Sequence, residues 1–348
     1  MSEKLPRLSL IVLGGTITMT RSETGGIVPT LTAESLLAAV PQLADVADVV
    51  PASPFQKPGA SLTLTDLAQV ARLIAEGRKD GIDGFVVVQG TDTIEETAFV
   101  LDHIVGGDEP VVVTGAMRGP QAAGADGPAN LLASAIVAGS DQARGRGALV
   151  VLNDEIHAAR FVTKRHTALT SAFRSSFCGP VGIVCEGDAV FFAALQRAPF
   201  LQLPGDVMAP PVAILAAGLG DDGRLIPILP GAGFKGAVVE AMGAGHVPQD
   251  WSPRMGELAA RMPVILATRV ADGPVFRRTY GFEGSERDLI AKGLIPAGCL
   301  SAAKARLLLQ ILLASGVGKD EIAASFASAS ALADQRRIQL GGMKTLSA

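Results

Sequence analysis

Aromatic and sulfur-containing side chains are scarce in this sequence of 348 residues, which has a single Trp, a single Tyr and three Cys. An odd number of cysteines without CxxC spacing predicts neither a disulfide framework nor a structural zinc site. We therefore expect Cys178, Cys185 and Cys299 to be buried structural thiols.

Long apolar runs are absent too, because no stretch reaches the roughly 18 residues that a transmembrane helix needs. The apolar run 8–13 is too short for a secretion signal and no cleavage site follows it, which predicts a cytoplasmic protein with no membrane partner. Lysine and arginine form no long block and the net charge is -4, so no nucleic-acid partner is expected. Nothing in the sequence requires a metal or organic cofactor, and we expect none.

Four apolar, β-branched runs in the first half predict strands that are buried on both faces: 8–13, 85–88, 111–113 and 149–152. Helical periodicity lies between them, as in Leu67, Val70, Ala71 and Ile74, which share one face. This alternation predicts an α/β fold whose larger N-terminal sheet is doubly wound and mostly parallel.

The chain is long enough for two domains, and its periodicity fails where four prolines gather between 196 and 211. We predict an N-terminal domain at 1–195, a linker at 196–211 and a smaller C-terminal α/β domain at 212–348. Within the last, helices are expected near 252–261, with Ser252 as the N-cap, and near 302–314.

Small, hydroxyl-bearing or charged residues follow each predicted strand of the first half. They are Gly14-Gly15-Thr16, Gly90-Thr91-Asp92-Thr93, Thr114 to Arg118, and Asn153-Asp154 followed by Thr163-Lys164. Because parallel sheets bind ligands beyond the carboxyl ends of their strands, these residues are expected to meet at one site.

A threonine hydroxyl needs a base before it can attack an amide. No Ser-His-Asp set is apparent, since His103 falls on a predicted helix and His157 and His166 fall in a predicted polar loop. Lys164 acting with Asp92 and Thr91 is the remaining candidate, because a desolvated lysine can lose its proton near neutral pH. The backbone amides of the glycines could stabilise an oxyanion.

Each motif also has a purely structural interpretation. Thr93 and Glu96 have the spacing of a capping box, and Asp126 could cap a helix that begins at Pro128. Lys164 alone would be a solvated lysine, and the triplet 286–288 a solvated charge run. The convergence of the segments at successive strand ends favours the functional interpretation.

The motifs together resemble the bacterial-type L-asparaginase and glutaminase-asparaginase family over nearly the whole chain. The strongest are 14–17 (Gly-Gly-Thr-Ile) and 90–97 (Gly-Thr-Asp-Thr-Ile-Glu-Glu-Thr). Supporting motifs follow in the family's order: 115–118, 125–128 with Asn130, 162–164, and 304–306 (Lys-Ala-Arg).

The resemblance implies that Thr16 is the primary nucleophile and that Thr91, Asp92 and Lys164 form a second catalytic group. It leaves open which threonine forms the acyl-enzyme. The implied substrate-binding residues are Gly15, Ala60, Ser61, Gly90, Ala116, His246 and Glu286.

In the family a neighbouring subunit completes each site, which implies a homotetramer built from two dimers, with His246 and Glu286 supplied by the neighbour. His246 stands where the family has asparagine, and Ile27 stands where a flexible loop normally carries a tyrosine. Tyr280, the single tyrosine, is a candidate to enter the site from the neighbouring subunit.

Hydrolysis of L-asparagine is the function that these residues favour. A glutaminase-asparaginase of mixed specificity and a catalytically weak amino-acid-binding relative stay open. A nucleotide-binding oxidoreductase is disfavoured because 14–18 lacks the G-x-G-x-x-G pattern. An amidase subunit that feeds ammonia to a partner enzyme is disfavoured, because such subunits usually carry an additional N-terminal domain, whereas the first predicted strand here already lies at 8–13.

Overall fold

The computed structural model describes residues 4–15, 17, 32–203 and 208–329, together with the backbone of 19–21 and 27–29. Its strands are β1 (Arg7–Val12), β2 (Met19–Arg21), β3 (Ile27–Pro29), β4 (Asp48–Ala52), β5 (Gly84–Val88), β6 (Val111–Thr114), β7 (Ala148–Leu152), β8 (Glu155–Ala158), β9 (Val162–Lys164), β10 (Phe173–Ser175), β11 (Gly182–Cys185), β12 (Asp188–Phe191), β13 (Val212–Ala216), β14 (Gly236–Ala241), β15 (Val264–Thr268) and β16 (Ile295–Pro296). Its α-helices are α1 (Ala33–Ala39), α2 (Leu43–Val46), α3 (Leu64–Lys79), α4 (Ile94–Ile104), α5 (Gly127–Ala138), α6 (Trp251–Arg261), α7 (Glu286–Ala291), α8 (Ala302–Ala314) and α9 (Lys319–Ala329).

The large sheet has the strand order β12-β11-β8-β7-β6-β5-β1-β4. Strands β4, β1, β5, β6 and β7 are parallel, and β8, β11 and β12 extend the sheet antiparallel. The chain leaves β1 toward β4 and leaves β5 toward β6, on opposite sides of the β1–β5 pair. This reversal creates a crevice beyond the carboxyl ends of β1 and β5, where doubly wound sheets bind ligands.

Side chains on alternate positions of each central strand enter two different cores. In β5, Phe85 and Val87 pack with α3, α4 and α8, whereas Val86 and Val88 pack with α1, α2 and α5. Both faces are therefore covered by helices, which is why β5 is a continuous apolar run. The predicted doubly wound, mostly parallel sheet is confirmed.

A smaller parallel sheet forms the second half, with the order β13-β14-β15-β16. Trp251 and Met255 of α6 pack on one face and α8 packs on the other, so this half is also α/β. The predicted two-domain fold is confirmed. Between Phe191 and Val212, the described residues form no helix or strand.

Two predicted helix caps are wrong. The Thr93 hydroxyl makes no capping hydrogen bond to α4 because it donates to the Gly59 carbonyl at 2.9 Å. Helix α6 begins one residue before Ser252, whose hydroxyl instead contacts Asp288 in α7 and Lys292, the residue that follows α7. In both cases a tertiary hydrogen bond occupies the hydroxyl that the local sequence offers to the helix.

The predicted burial of the cysteines is also wrong, because Cys178 and Cys185 are exposed and Cys299 is half-buried. The loop assigned to His157 is wrong as well, since this residue lies in β8 and is buried. Among the described residues no helix is long and apolar enough to cross a bilayer.

Candidate active site

The crevice between β1 and β5 is formed by backbone packing of three loops. Gly14 and Gly15 follow β1 with φ of 119° and 95°, a conformation that side-chain-bearing residues rarely adopt. A Cβ on Gly15 would lie 2.0 Å from the Gly90 nitrogen, and one on Gly59 would lie 2.8 Å from the Gly90 oxygen. Glycines at these positions therefore allow the loops after β1, β4 and β5 to touch.

Thr91, Asp92 and Lys164 meet at the edge of this crevice, although 72 residues separate Asp92 from Lys164. Lys164 Nζ donates to Thr91 Oγ1 at 2.8 Å and lies 3.4 Å from Asp92 Oδ1. Thr91 is buried, whereas the Asp92 side chain is 64% exposed and the Lys164 side chain 19% exposed. An enclosed hydroxyl held by a lysine, beside an accessible carboxylate, suits activation of a hydroxyl next to a cationic ligand.

Glu95 connects the strand that bears Lys164 to helix α4. Its Oε1 accepts the backbone N–H of Lys164 at 3.2 Å, and its Oε2 lies 4.0 Å from Nζ of Lys304 in α8. Lys304 is 2% exposed and donates to the carbonyl oxygens of Ala159, Arg160 and Val162 at 3.0, 3.1 and 2.5 Å. The C-terminal half of the chain thus contacts the segment that leads into β9.

Gln89 fixes the loop after β5 from inside the core. Its side chain is fully buried, and its Nε2 donates to the Gly90 carbonyl at 3.2 Å and to Thr93 Oγ1 at 3.1 Å. Because Thr93 in turn donates to Gly59, one chain of hydrogen bonds joins the loops after β5 and β4. Sequence reasoning missed Gln89; a polar residue at the end of an apolar strand was the available signal.

The loop after β6, which contains Ala116, is held by Asp126 and Asn130. The Asp126 carboxylate accepts the backbone N–H groups of Met117 and Arg118 at 2.9 and 2.8 Å and makes no capping bond to α5, so the interpretation of Asp126 as a cap is wrong. Asn130 donates to the Gly115 carbonyl at 3.0 Å. A Cβ on Gly115 would lie 2.4 Å from the Gln89 carbonyl oxygen, so the loop that contains the buried Ala116 packs against the end of β5.

Ala60 and Ser61 lie in a 3-10 turn, Gly59–Ser61, at the end of the loop after β4. Both residues are exposed, and Thr93 joins the start of their turn to the loop after β5. Thr16 lies outside the described residues. Ile27 lies in β3, where only the backbone is described.

His246 and Glu286 form a separate cluster in the C-terminal half. His246 Nε2 lies 3.3 Å from Glu286 Oε2, and Glu286 Oε1 accepts the backbone N–H groups of Thr279 and Tyr280, each at 2.8 Å. The Glu286 side chain is fully buried, so the interpretation of 286–288 as a solvated run is wrong. Burial alone would raise the pKa of Glu286, but the two N–H groups and His246 bring that pKa below its usual value.

Aromatic rings surround His246, with Tyr280 and Phe282 packed edge-on at centroid distances of 4.7 and 5.0 Å. Tyr280 and Phe282 are themselves exposed, at 41% and 51%. Within the described part of the chain, no hydrogen bond or ion pair joins His246 or Glu286 to Thr91, Asp92 or Lys164. The chain therefore presents two sets of candidate residues, each with an exposed side.

Comparisons with known proteins match both halves of the chain. The family model "Asparaginase, N-terminal" matches residues 7–197, and "Glutaminase/Asparaginase C-terminal domain" matches residues 211–326. A relative from Deinococcus radiodurans named "Probable L-asparaginase" is 38% identical and aligns over 92% of this chain and 97% of its own length. A "Glutaminase-asparaginase" from Pseudomonas aeruginosa is 32% identical over 89% of this chain and 87% of its own.

The fold matches a solved structure as well. The "Probable Cytoplasmic L-asparaginase from Campylobacter jejuni" superposes with a TM-score of 0.83 at 30% identity, covering 93% of this chain and 99% of that one.

Proposed function

Because the chain belongs to the asparaginase and glutaminase family, we propose that it is an amidohydrolase that converts L-asparagine to L-aspartate and ammonia, with Thr16 as nucleophile. The observation that supports this most is the 2.8 Å contact between Lys164 Nζ and Thr91 Oγ1, beside Asp92 at the crevice of the sheet. A binding protein would not need a lysine in contact with an enclosed hydroxyl.

In the first step, Thr16 Oγ attacks the side-chain carboxamide carbon and loses its proton to a base. The C–N bond then breaks and the nitrogen takes up a proton. Ammonia departs, and the acyl group remains on the threonine as an ester. Backbone N–H groups of the loops after β1 and β5 carry the oxyanion, a role worth about 3 kcal/mol per donor in other hydrolases.

In the second step, water attacks the ester carbon, the bond to Thr16 Oγ breaks, and Thr16 Oγ takes up a proton as L-aspartate leaves. Thr91 takes a proton from the attacking water and passes its own proton to the Lys164 amine. The short Nζ to Oγ1 distance and the burial of Thr91 support this relay. Asp92 orients the amine at 3.4 Å.

Substrate binding divides between the two exposed sets of residues. The accessible Asp92 carboxylate suits the substrate ammonium, Ser61 and the backbone of Gly15, Ala60 and Gly90 suit its carboxylate, and the Ala116 backbone suits its amide. His246 and Glu286 complete the site from a neighbouring subunit in a homotetramer built from two dimers. Their lack of hydrogen bonds or ion pairs to Thr91, Asp92 or Lys164 of the same chain supports an arrangement in trans.

Residues 196–211 connect an N-terminal domain at 1–195 to a C-terminal domain at 212–348, and the absence of helix or strand between Phe191 and Val212 in the described residues supports these limits. The cytoplasm is the proposed location, in line with the name of the Campylobacter jejuni relative.

Mixed specificity is the second candidate, favoured by the relative named glutaminase-asparaginase. Glutamine exceeds asparagine by one methylene, which a pocket discriminates by only about 1–3 kcal/mol.

Ammonia release from L-asparagine, L-glutamine and D-asparagine tests the proposal, with purified wild type beside Thr16→Ala and Lys164→Met. Thr65→Ala and Lys79→Met, two exposed positions on α3, serve as matched controls. We expect release from L-asparagine, loss in the first two variants and retention in the controls. A folded wild type that binds asparagine without releasing ammonia would instead be a weak amino-acid-binding relative.

A further inference from the structure

Lys304 is an ammonium group enclosed by the N-terminal half of the protein although it belongs to the C-terminal half. It lies in the first turn of α8, which Ser301 caps, and its side chain is 2% exposed. Its three N–H groups have three acceptors, the carbonyl oxygens of Ala159, Arg160 and Val162. A charged amine is costly to bury, so a position that retains one needs a compensating role.

The three carbonyls belong to the segment that carries Lys164 into the crevice. Val162 is the first residue of β9 and Lys164 is the third, so the shortest of the Lys304 contacts, 2.5 Å to Val162, lies two residues from the catalytic amine. Strand β9 is short and pairs only with β10 among the described strands, so its position depends on contacts at its ends.

Glu95 links the two lysines directly. One carboxylate oxygen accepts the Lys164 backbone N–H at 3.2 Å, and the other lies 4.0 Å from Lys304 Nζ. Burial lowers the pKa of Lys304 to about 8, against the attraction of Glu95, Glu96 and Asp102, so the amine still carries its charge at neutral pH. The charge attracts Glu95, and Glu95 in turn fixes the backbone of Lys164.

We propose that Lys304 is a positioning residue for the amide hydrolysis: through the Val162 carbonyl and the Glu95 carboxylate, α8 of the C-terminal half sets the distance between Lys164 Nζ and Thr91 Oγ1. This inference rests on the proposed function for its kinetic consequence, but the placement of Lys164 itself can be measured independently. Lys304 touches neither substrate nor reacting atoms.

The variants Lys304→Met and Lys304→Arg test the proposal, with Lys319→Met as the matched control. Lys319 also donates to a backbone carbonyl, that of Ala259 at 2.9 Å, but within the C-terminal half. For each protein, the rate at which acetic anhydride labels Lys164 is followed against pH by peptide mass spectrometry, and kcat and KM for L-asparagine are measured beside thermal unfolding.

We expect Lys304→Met to change the labelling rate of Lys164 by about threefold or more and to lower kcat about tenfold with KM within about twofold. In Lys304→Arg, which keeps the charge, we expect the labelling rate and kcat to return part of the way to their wild-type values. Lys319→Met is expected to change neither quantity. A lower unfolding temperature with wild-type labelling and kcat would mean that Lys304 is only structural and would overturn the proposal.

If Lys304→Met does not fold, Glu95→Gln carries the same measurements, because it removes the linking charge while leaving the three carbonyl contacts in place. Unchanged labelling of Lys164 in folded Glu95→Gln would then reject the proposal. If Lys164 labelling is altered in the variants but the wild type releases no ammonia, only the proposed function would be rejected.

Discussion

Gly15 and Gly90 are in direct backbone contact, since a Cβ on Gly15 would lie 2.0 Å from the Gly90 nitrogen. The contact brings the loop after β1, which leads to Thr16, against the loop that bears Thr91 and Asp92. The distance between the two sets of candidate residues therefore depends on both glycines.

Gly15→Ala is therefore expected to separate the two loops. The added methyl cannot fit without a backbone shift, so we expect a loss of about 1–3 kcal/mol of stability and at least about a hundredfold in kcat/KM. Gly81→Ala is the control, because Gly81 has a similar positive φ of 76° but nothing within 4 Å of the added Cβ. Chemical denaturation and asparagine kinetics measure both; an equal loss of activity in the two variants would contradict the contact argument.

Thr93 is expected to matter through the Gly59 carbonyl and not through helix α4. Thr93→Val removes the 2.9 Å bond to Gly59 and one acceptor of the buried Gln89 amide. We expect the free energy of unfolding to fall by about 1–2 kcal/mol and KM to rise about tenfold, because the loop that contains Ser61 no longer has this hydrogen bond to the loop after β5. Thr93→Ser keeps the hydroxyl, and a Thr93→Ser enzyme as impaired as Thr93→Val would show that the methyl group matters instead.

Buried strand interiors of this fold could be predicted from sequence, whereas its edges could not. Phe85 to Val88 is apolar throughout because helices cover both faces of β5, and such runs are recognisable. Strand β4 is half-exposed, contains Pro51 and lies at the edge of the sheet, where a proline is tolerated and the pattern fades. The antiparallel β11 and β12 alternate burial over four residues each, which is too short to signal a strand.

The candidate site shows the same limit for a different reason. Sequence motifs pointed to Lys164 and Thr91, and the structure places them in contact. Nothing local to the sequence shows that Glu286 is buried and accepts backbone N–H groups from 279 and 280. Nor does it show that Lys304 donates to carbonyl groups more than 140 residues away. Such contacts are set by tertiary packing, which overrides the local preference of charged residues for water.

His157 should make the protein less stable in mild acid. The ring is buried, and burial lowers its pKa to about 4, below the unfolded value near 6.5. Between these pH values the unfolded chain binds more protons than the folded one. The contribution of neutral His157 to the free energy of unfolding, at most about 3 kcal/mol, is therefore complete above about pH 6.5 and is lost as the pH falls toward about 4. Chemical denaturation at a series of pH values measures the slope.

A His157→Asn protein is expected to show a shallower slope in that window, by about 1.4 kcal/mol per pH unit. His103, whose pKa burial also lowers to about 4, retains its own contribution, and Asp102, whose pKa burial raises to about 6, acts in the opposite direction. His166→Asn, at an exposed position, is the control. Parallel slopes for wild type and His157→Asn would exclude His157 as the source.

Glu286 and Lys164 should act in one site from two different subunits. If so, Lys164→Met and Glu286→Gln are each inactive alone, but a mixed dimer contains one site in which both residues are wild type. After the two variants are unfolded together and refolded in equal amounts, about half of the dimers are mixed, and we expect about a quarter of wild-type ammonia release.

The control mixture combines Lys164→Met with Thr16→Ala, which alter the same half of the site, so every site in a mixed dimer stays defective. Recovery in the first mixture and none in the second would assign Glu286 to the neighbouring subunit. No recovery in either mixture, with refolded dimers present by light scattering, would place Glu286 in the same subunit's site, whereas a Glu286→Gln protein that is active alone would place it outside the chemistry. Because Glu286 contacts His246 at 3.3 Å, the same result would decide the position of His246.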